Sequence, residues 1–217
     1  MAAEARIARS LGDVAAGGGL PAGAEAAAES LAARNVTGLI SFGLAGGLDP
    51  ALRPGHVVIP EAVLEDEALY PTDAGLALRF GGVNAKLMLA GQAVIAEAMT
   101  KGRLFAATGA SAIDLESGAV ARVARRHNLP FAVLRAICDP AERDLPPAAL
   151  IALDAGGSIG LLRVLASTLR RPGQIPALIR LGQDAKRARR ALIKLSRCSP
   201  AETAPLSAAP RTPPPPR

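Results

Sequence analysis

Aromatic residues are nearly missing from this chain: its 217 residues include no tryptophan, one tyrosine and four phenylalanines. A surface that stacks single-stranded bases needs several exposed rings, so that mode of nucleic-acid binding is excluded. Cysteine and histidine are equally scarce, two of each: Cys138, Cys198, His56 and His127. Their number and spacing supply neither a zinc site nor a disulfide scaffold, which implies no metal and a reducing cytoplasm. No apolar run reaches the about 18 residues of a membrane span, since Arg163 interrupts the best stretch, 158–169. The opening Met1–Arg6 lacks the apolar centre of a signal peptide.

What is present is alanine, glycine and aliphatic residues. Apolar residues make up 50% of the chain and charged residues 20%, a globular composition for one medium α/β domain. The net charge of +6 is unevenly spread. Residues 1–162 carry 13 basic against 17 acidic side chains, whereas residues 163–197 carry 10 basic side chains against Asp184 alone. The basic character belongs to the C-terminal segment, and the acidic body offers no basic channel to a nucleic acid.

Turn signals divide the chain. Gly17-Gly18-Gly19 precedes an Ala/Glu-rich helical stretch over 22–33. Val36–Gly43 reads as a buried strand that ends in the turn Gly43-Leu44-Ala45-Gly46-Gly47, and Val57–Ile59 follows as a third apolar run. Ala112–Leu115, Ser117–His127 and Pro130–Cys138 then read as strand, helix, strand. This βαβ rhythm predicts a mostly parallel central sheet, buried on both faces by helices, over residues 1–173. Residues 174–197 predict an amphipathic helix, with Leu178, Leu181, Ala185, Ala188, Leu192 and Leu195 on one face. Arg180, Arg187, Arg190, Lys194 and Arg197 fall on the other. Residues 198–217, rich in proline, predict a disordered tail.

Ligands of open parallel sheets bind beyond the carboxyl ends of the strands. Two acids stand at such ends, Glu116 and Asp139. A partly desolvated carboxyl has a raised pKa and can donate a proton near neutral pH. The spacing equally allows Glu116 to cap the following helix and Asp139 to open a turn before Pro140. The glycine turn at 43–47 could cradle an anion or a ribose, or serve only as a tight corner.

Taken in order, four segments form a pattern: Ser41–Leu48, Leu52–Val58, Ile113–Glu116 and Pro130–Asp139. The series resembles the purine nucleoside phosphorylase and methylthioadenosine/S-adenosylhomocysteine nucleosidase superfamily. With Asp139–Leu150 and Leu169–Leu178 added, it is most similar to the hopanoid-associated phosphorylase (adenosylhopane nucleosidase) branch. The resemblance spans about residues 1–195 and implies a three-layer α/β/α nucleoside phosphorylase-like fold. It implies cleavage of a purine nucleoside, adenosylhopane in the closest branch, with methylthioadenosine or S-adenosylhomocysteine as the alternative small-molecule substrates.

The resemblance also implies roles. Asp139 would protonate N7 of the purine, and Glu116 would hold the ribose hydroxyls. Leu115, Gly43, Ala45, Gly46 and Arg135 would complete the substrate site. Glu4 would position or activate water. In relatives a first strand precedes that segment, so the resemblance implies that this N-terminal strand is missing here or lies upstream of Met1. Phosphorylases of the hexameric type place Arg and Ser around the glycine turn, where this chain has Ser41 and Leu44. Phosphate could instead meet Gly17, Gly18 and Gly19, and the choice between hydrolysis and phosphorolysis stays open. His56 reads as a solvated turn residue, His127 as a dipole partner at a helix end, and Cys138 as a buried strand residue.

No organic cofactor is implied, and relatives assemble as dimers to hexamers. The basic helix suits peripheral contact with an anionic membrane, or docking on the domain with its arginines solvated. An inactive membrane-associated module is the reading outside enzymes.

Overall fold

The computed structural model describes residues 2–154 and 172–198. The expected tail from residue 199 onward and the start of the Leu169–Leu178 motif lie outside the described residues. Seven strands form one sheet: β1 Leu39–Gly47, β2 Val57–Val58, β3 Pro60–Glu65, β4 Ala68–Pro71, β5 Ala85–Ala90, β6 Ala112–Asp114 and β7 Phe131–Asp139. Their order is β2-β7-β1-β6-β5-β3-β4. The ladders β1/β7, β3/β5 and β5/β6 are parallel, and β1/β6, β2/β7 and β3/β4 are antiparallel. The sheet is therefore mixed, with its longest ladder parallel.

Helices cover both faces. On one, α2 (Pro21–Ala32) and α5 (Ser117–Arg126) bury Ala28, Ala121, Val123 and Ala124 against Ala45, Val133, Ile137 and Met88. On the other, α1 (Ala2–Ala8), α3 (Ala74–Leu78) and α7 (Ile175–Cys198) pack against Phe42, Leu134 and Ala136. Between α3 and α5, α4 (Ala98–Thr108) places Leu104 and Phe105 over Leu89 and Ile113. A short α6 spans Pro147–Asp154. Helix α2 starts on Pro21, whose missing N–H costs nothing in a first turn. The Gly17 turn lies so close to it that a Cβ on Gly17 would sit 2.7 Å from Cα of Ala24.

The C-terminal helix belongs to this body. Ala188 and Leu192 of α7 are fully buried against β7, and Leu195 packs beside Leu134. Burial of a leucine of this kind is worth about 1.5–3 kcal/mol. Arg180, Arg187, Arg190, Lys194 and Arg197 are exposed, so docking and a solvated basic face occur together. Among the described residues no helix is long and apolar enough to cross a membrane.

The feature that matters most for the site is a slip in the β1/β7 ladder. Ala45 pairs with Ile137, but Gly46 pairs with Asp139, so Cys138 is skipped. One extra residue in a strand re-aims the side chains after it. Without the bulge, Asp139 would share a face with Arg135 and Ile137. With it, Asp139 turns to the face of Gly46, where a Cβ would lie 3.8 Å from its Oδ2.

Candidate active site

Two buried polar clusters lie along β1, one beside its middle and one beside its carboxyl end. The first centres on Arg135, only 3% exposed on β7. Its Nη2 donates to Ser41 Oγ at 2.6 Å and lies 2.7 Å from Asp114 Oδ2. Its Nη1 donates to Glu116 Oε2 at 3.1 Å and, more weakly, to the Leu44 carbonyl at 3.4 Å. Gly43 faces this guanidinium across the ladder, and a Cβ there would stand 2.5 Å from Nη1. Ser117 closes the cluster with Oγ donating to Asp114 at 2.6 Å. Burial pushes the Asp114 carboxyl above its ordinary range, while Arg135 and Ser117 pull it back.

Glu116 occupies the N-cap position of α5, yet its side chain does not cap the helix. Asp114 does that instead, accepting from the Ser117 amide at 3.2 Å. The Glu116 carboxylate is spent on Arg135 and on the amide of Gly19, which donates to Oε1 at 3.0 Å. The helix-capping alternative for Glu116 is thereby corrected. Of the three amides expected to meet phosphate, that of Gly19 is engaged by this carboxylate. Arg135, expected in the substrate site, is 3% exposed and meets four partners, Glu116 among them.

The second cluster belongs to Asp139, at the end of β7. Lys101 Nζ, from α4, donates to Asp139 Oδ2 at 2.6 Å, to the Arg143 carbonyl at 2.9 Å and to the Pro140 carbonyl at 3.2 Å. The lysine side chain is 1% exposed and that of Asp139 11%. Burial pushes the Asp139 carboxyl up, opposed by the charges of Lys101 and Arg143. A carboxyl raised in this way is suited to act as a general acid. Glu116 and Asp139 do not touch each other. Each has its own cation, and the bulge directs Asp139 to the face opposite Arg135. Their anchor points on β1, Gly43 and Gly46, lie about 10 Å apart along the strand, so a shared ligand must lie across the strand's end.

Of the other expected residues, Leu115 is half-buried beside Glu116, Gly46 lies against Asp139, and Ala45 points into the core. Glu4 lies on α1, and Arg189 Nε of α7 donates to it at 2.7 Å. Burial raises its carboxyl, but charged hydrogen-bond partners, Arg189 among them, bring it down to about 2. A base so weak accepts a proton poorly at neutral pH. His56 is exposed and accepts from the Arg53 amide, and His127 at the end of α5 meets Glu29 at 2.7 Å. Burial pushes the Cys138 thiol up to about 12, which rules out an activated thiolate at ordinary pH. Among the described residues no group of His, Cys, Asp and Glu could hold a metal ion. A surface cavity of about 340 Å³ is lined by Asp49, Leu52, His56, Val58, Asn84 and Ser111, none of which hydrogen-bonds to Glu116 or Asp139 among the described residues.

Sequence reasoning assigned no role to Lys101, Asp114 or the ion pair of Arg143 with Asp184, and read Ser41 only as a departure from the phosphate-gripping pattern. Asp114 stands within the motif that carries Glu116, so a buried acid two residues upstream was a usable signal. Lys101 had none.

With this geometry in hand, comparison with known proteins defines the class. The phosphorylase superfamily matches residues 14–87 and 83–155, and the chain belongs to that family of nucleoside phosphorylases and nucleosidases. None of the curated proteins matches it. Among solved structures it is similar to the 5'-methylthioadenosine/S-adenosylhomocysteine nucleosidase of Helicobacter pylori complexed with a pyrrolopyrimidine-substituted pyrrolidinol. That match has 16% identity and a TM-score of 0.54, covering 81% of this chain and 75% of that one. It is also similar to futalosine hydrolase of Helicobacter pylori, at 17% identity and a TM-score of 0.52, over 68% and 74% of the two chains. A third is S-adenosylhomocysteine nucleosidase of Streptococcus pyogenes, at 17% and 0.50, over 68% and 73%. Identities this low establish the shared fold.

Proposed function

We propose that this chain cleaves the N-glycosidic bond of a purine nucleoside and releases adenine, with adenosylhopane as its substrate. The observation that carries the reading is Asp139: a buried carboxyl at the end of β7, with Oδ2 held by Lys101 and Oδ1 without a hydrogen-bond partner among the described residues. As the C1'–N9 bond breaks, its electron pair moves into the purine, and the Asp139 proton passes to N7. Positive charge builds on the ribose until water bonds to C1' and releases a proton to solvent, from which Asp139 is reprotonated. Glu116 supplies the opposite charge at the ribose, and each of its oxygens retains a lone pair for a sugar hydroxyl. Leu115 would line the sugar and Gly46 would let the base approach the strand.

Water is favoured over phosphate as the acceptor. The Gly19 amide and the Ser41 hydroxyl are already engaged with Glu116 and Arg135, which leaves little to grip a phosphate at the glycine turn. The lipid-linked substrate is supported by the motifs Asp139–Leu150 and Leu169–Leu178. It is also supported by the outward basic face of α7, which could rest on an anionic bilayer at about 1 kcal/mol per residue. The structural neighbours favour a second reading, a nucleosidase acting on methylthioadenosine or S-adenosylhomocysteine.

The test is adenine release by the full chain from adenosylhopane and from methylthioadenosine, each with and without phosphate. Faster release from adenosylhopane, unaffected by phosphate, is expected. Preference for methylthioadenosine selects the second reading. Release from neither substrate overturns both and favours an inactive membrane-associated module.

A further inference from the structure

Lys101 is among the largest side chains in the protein that are fully withdrawn from water. A buried ammonium costs several kcal/mol unless it is paired and hydrogen-bonded. Here its three donors meet three acceptors: Asp139 Oδ2, the Pro140 carbonyl and the Arg143 carbonyl. No donor remains for a substrate. The turn that supplies the carbonyls is itself fastened to the start of α4, because Asp144 Oδ1 accepts from the Ala98 amide at 2.7 Å and the Leu145 amide donates to the Ala96 carbonyl at 2.8 Å. Beyond it, Arg143 donates to the buried Asp184 of α7 at 2.5 Å.

We infer that Lys101 is a positioning residue for Asp139: its ammonium fixes Oδ2 and the turn behind it, so that Oδ1 alone faces the leaving base. This rests on the proposed role of Asp139 as proton donor. The lysine does two things at once. It removes the rotational freedom of a carboxyl that must meet N7 in one orientation. It also opposes the effect of burial on the same carboxyl, so the proton is held less tightly when the base needs it. The other charges near Asp139 are Arg143 in the following turn and Asp184 on α7, which form a pair of their own; the thiol of Cys138 adds none at ordinary pH.

The test compares the full-length wild type with K101M and K101R, checking each fold by its melting transition. Two readouts are used: the pH dependence of kcat/KM for adenine release, and the carbon-13 titration of the Asp139 carboxyl. In K101M the Asp139 titration and the alkaline limb of kcat/KM move upward by about one unit or more. Its kcat falls about 10- to 100-fold with KM nearly unchanged. K101R keeps the charge but not the three-way geometry, so the limb stays in place while kcat still falls. If K101M does not fold, K101R decides, and wild-type kcat in K101R overturns the proposal. An active wild type with an unchanged pH profile in K101M reduces Lys101 to a structural staple. Should the wild type release no adenine, the reading of Asp139 as proton donor fails, while the titration still tests the coupling: an unshifted Asp139 carboxyl in K101M refutes it.

Discussion

The two clusters along β1 solve one problem, a buried cation among acids, in different ways. Arg135 uses its planar fork to bind Asp114, Glu116 and Ser41 together, and only its Nε lacks a partner among the described residues. Lys101 gathers three oxygens around a point charge and leaves one oxygen of Asp139 uncommitted. A fork locks several groups in one plane, whereas an ammonium can hold one oxygen and leave its neighbour free. The Arg135 cluster therefore reads as a rigid frame for Glu116. The Lys101 cluster reads as a holder for a group that must exchange a proton.

The largest effect that tests this contrast comes from Asp139→Asn. Loss of the proposed general acid should lower kcat by about 10²–10⁴. The same change strands the Lys101 ammonium, at a cost of about 3–5 kcal/mol that denaturant unfolding will register. The pair D139N/K101M removes both charges, so it should recover much of that stability and none of the activity. Recovery of activity would assign the proton elsewhere.

Arg135→Met leaves Asp114 and Glu116 without their cation. Unfolding should show a loss of about 3–5 kcal/mol, with adenine release impaired through Glu116. A variant as stable as the wild type would show that the frame is dispensable. Gly43→Ala probes the same frame more gently. The new methyl meets Nη1 at 2.5 Å, and displacing the guanidinium should cost about 1–3 kcal/mol. An unchanged melting temperature would mean that Arg135 has room to move.

The smallest effect is at Glu4, outside both clusters. Its carboxyl is held near 2 in the folded state, below the ordinary 4.5. The unfolded chain therefore binds this proton first, and the group contributes stability above pH 4.5 that is lost as pH falls through 2. The stability difference between wild type and E4Q should be about 1 kcal/mol at pH 7, since Arg189 is partly exposed, and should shrink on acidification. A difference that grows toward pH 3 contradicts the assignment.

Most of the frame was legible because its signals are local. The apolar runs before Gly43, Glu116 and Asp139 lie on β1, β6 and β7, and the 3-4 spacing after residue 174 lies on α7. Residues 60–110 were hard to read. They form an antiparallel edge, a strand carrying Lys86, and a helix whose pattern inverts hydropathy: Met99 is 64% exposed while Lys101 is buried. Only partners 38 to 42 residues downstream make that burial possible. The bulge at Cys138 was hidden for a similar reason, since a strand's register is set by its neighbour. Reading strand ends alone shows that Glu116 and Asp139 both stand at such ends, but not that the skipped residue turns Asp139 to the face of Gly46.

The most direct test of the account is a crystal structure of the full chain with adenine bound. The account predicts N7 within hydrogen-bond distance of Asp139 Oδ1, with Lys101 still on Oδ2. Adenine seated instead in the cavity of Asp49, His56, Asn84 and Ser111, or bound with its N7 turned away from Asp139, would contradict it.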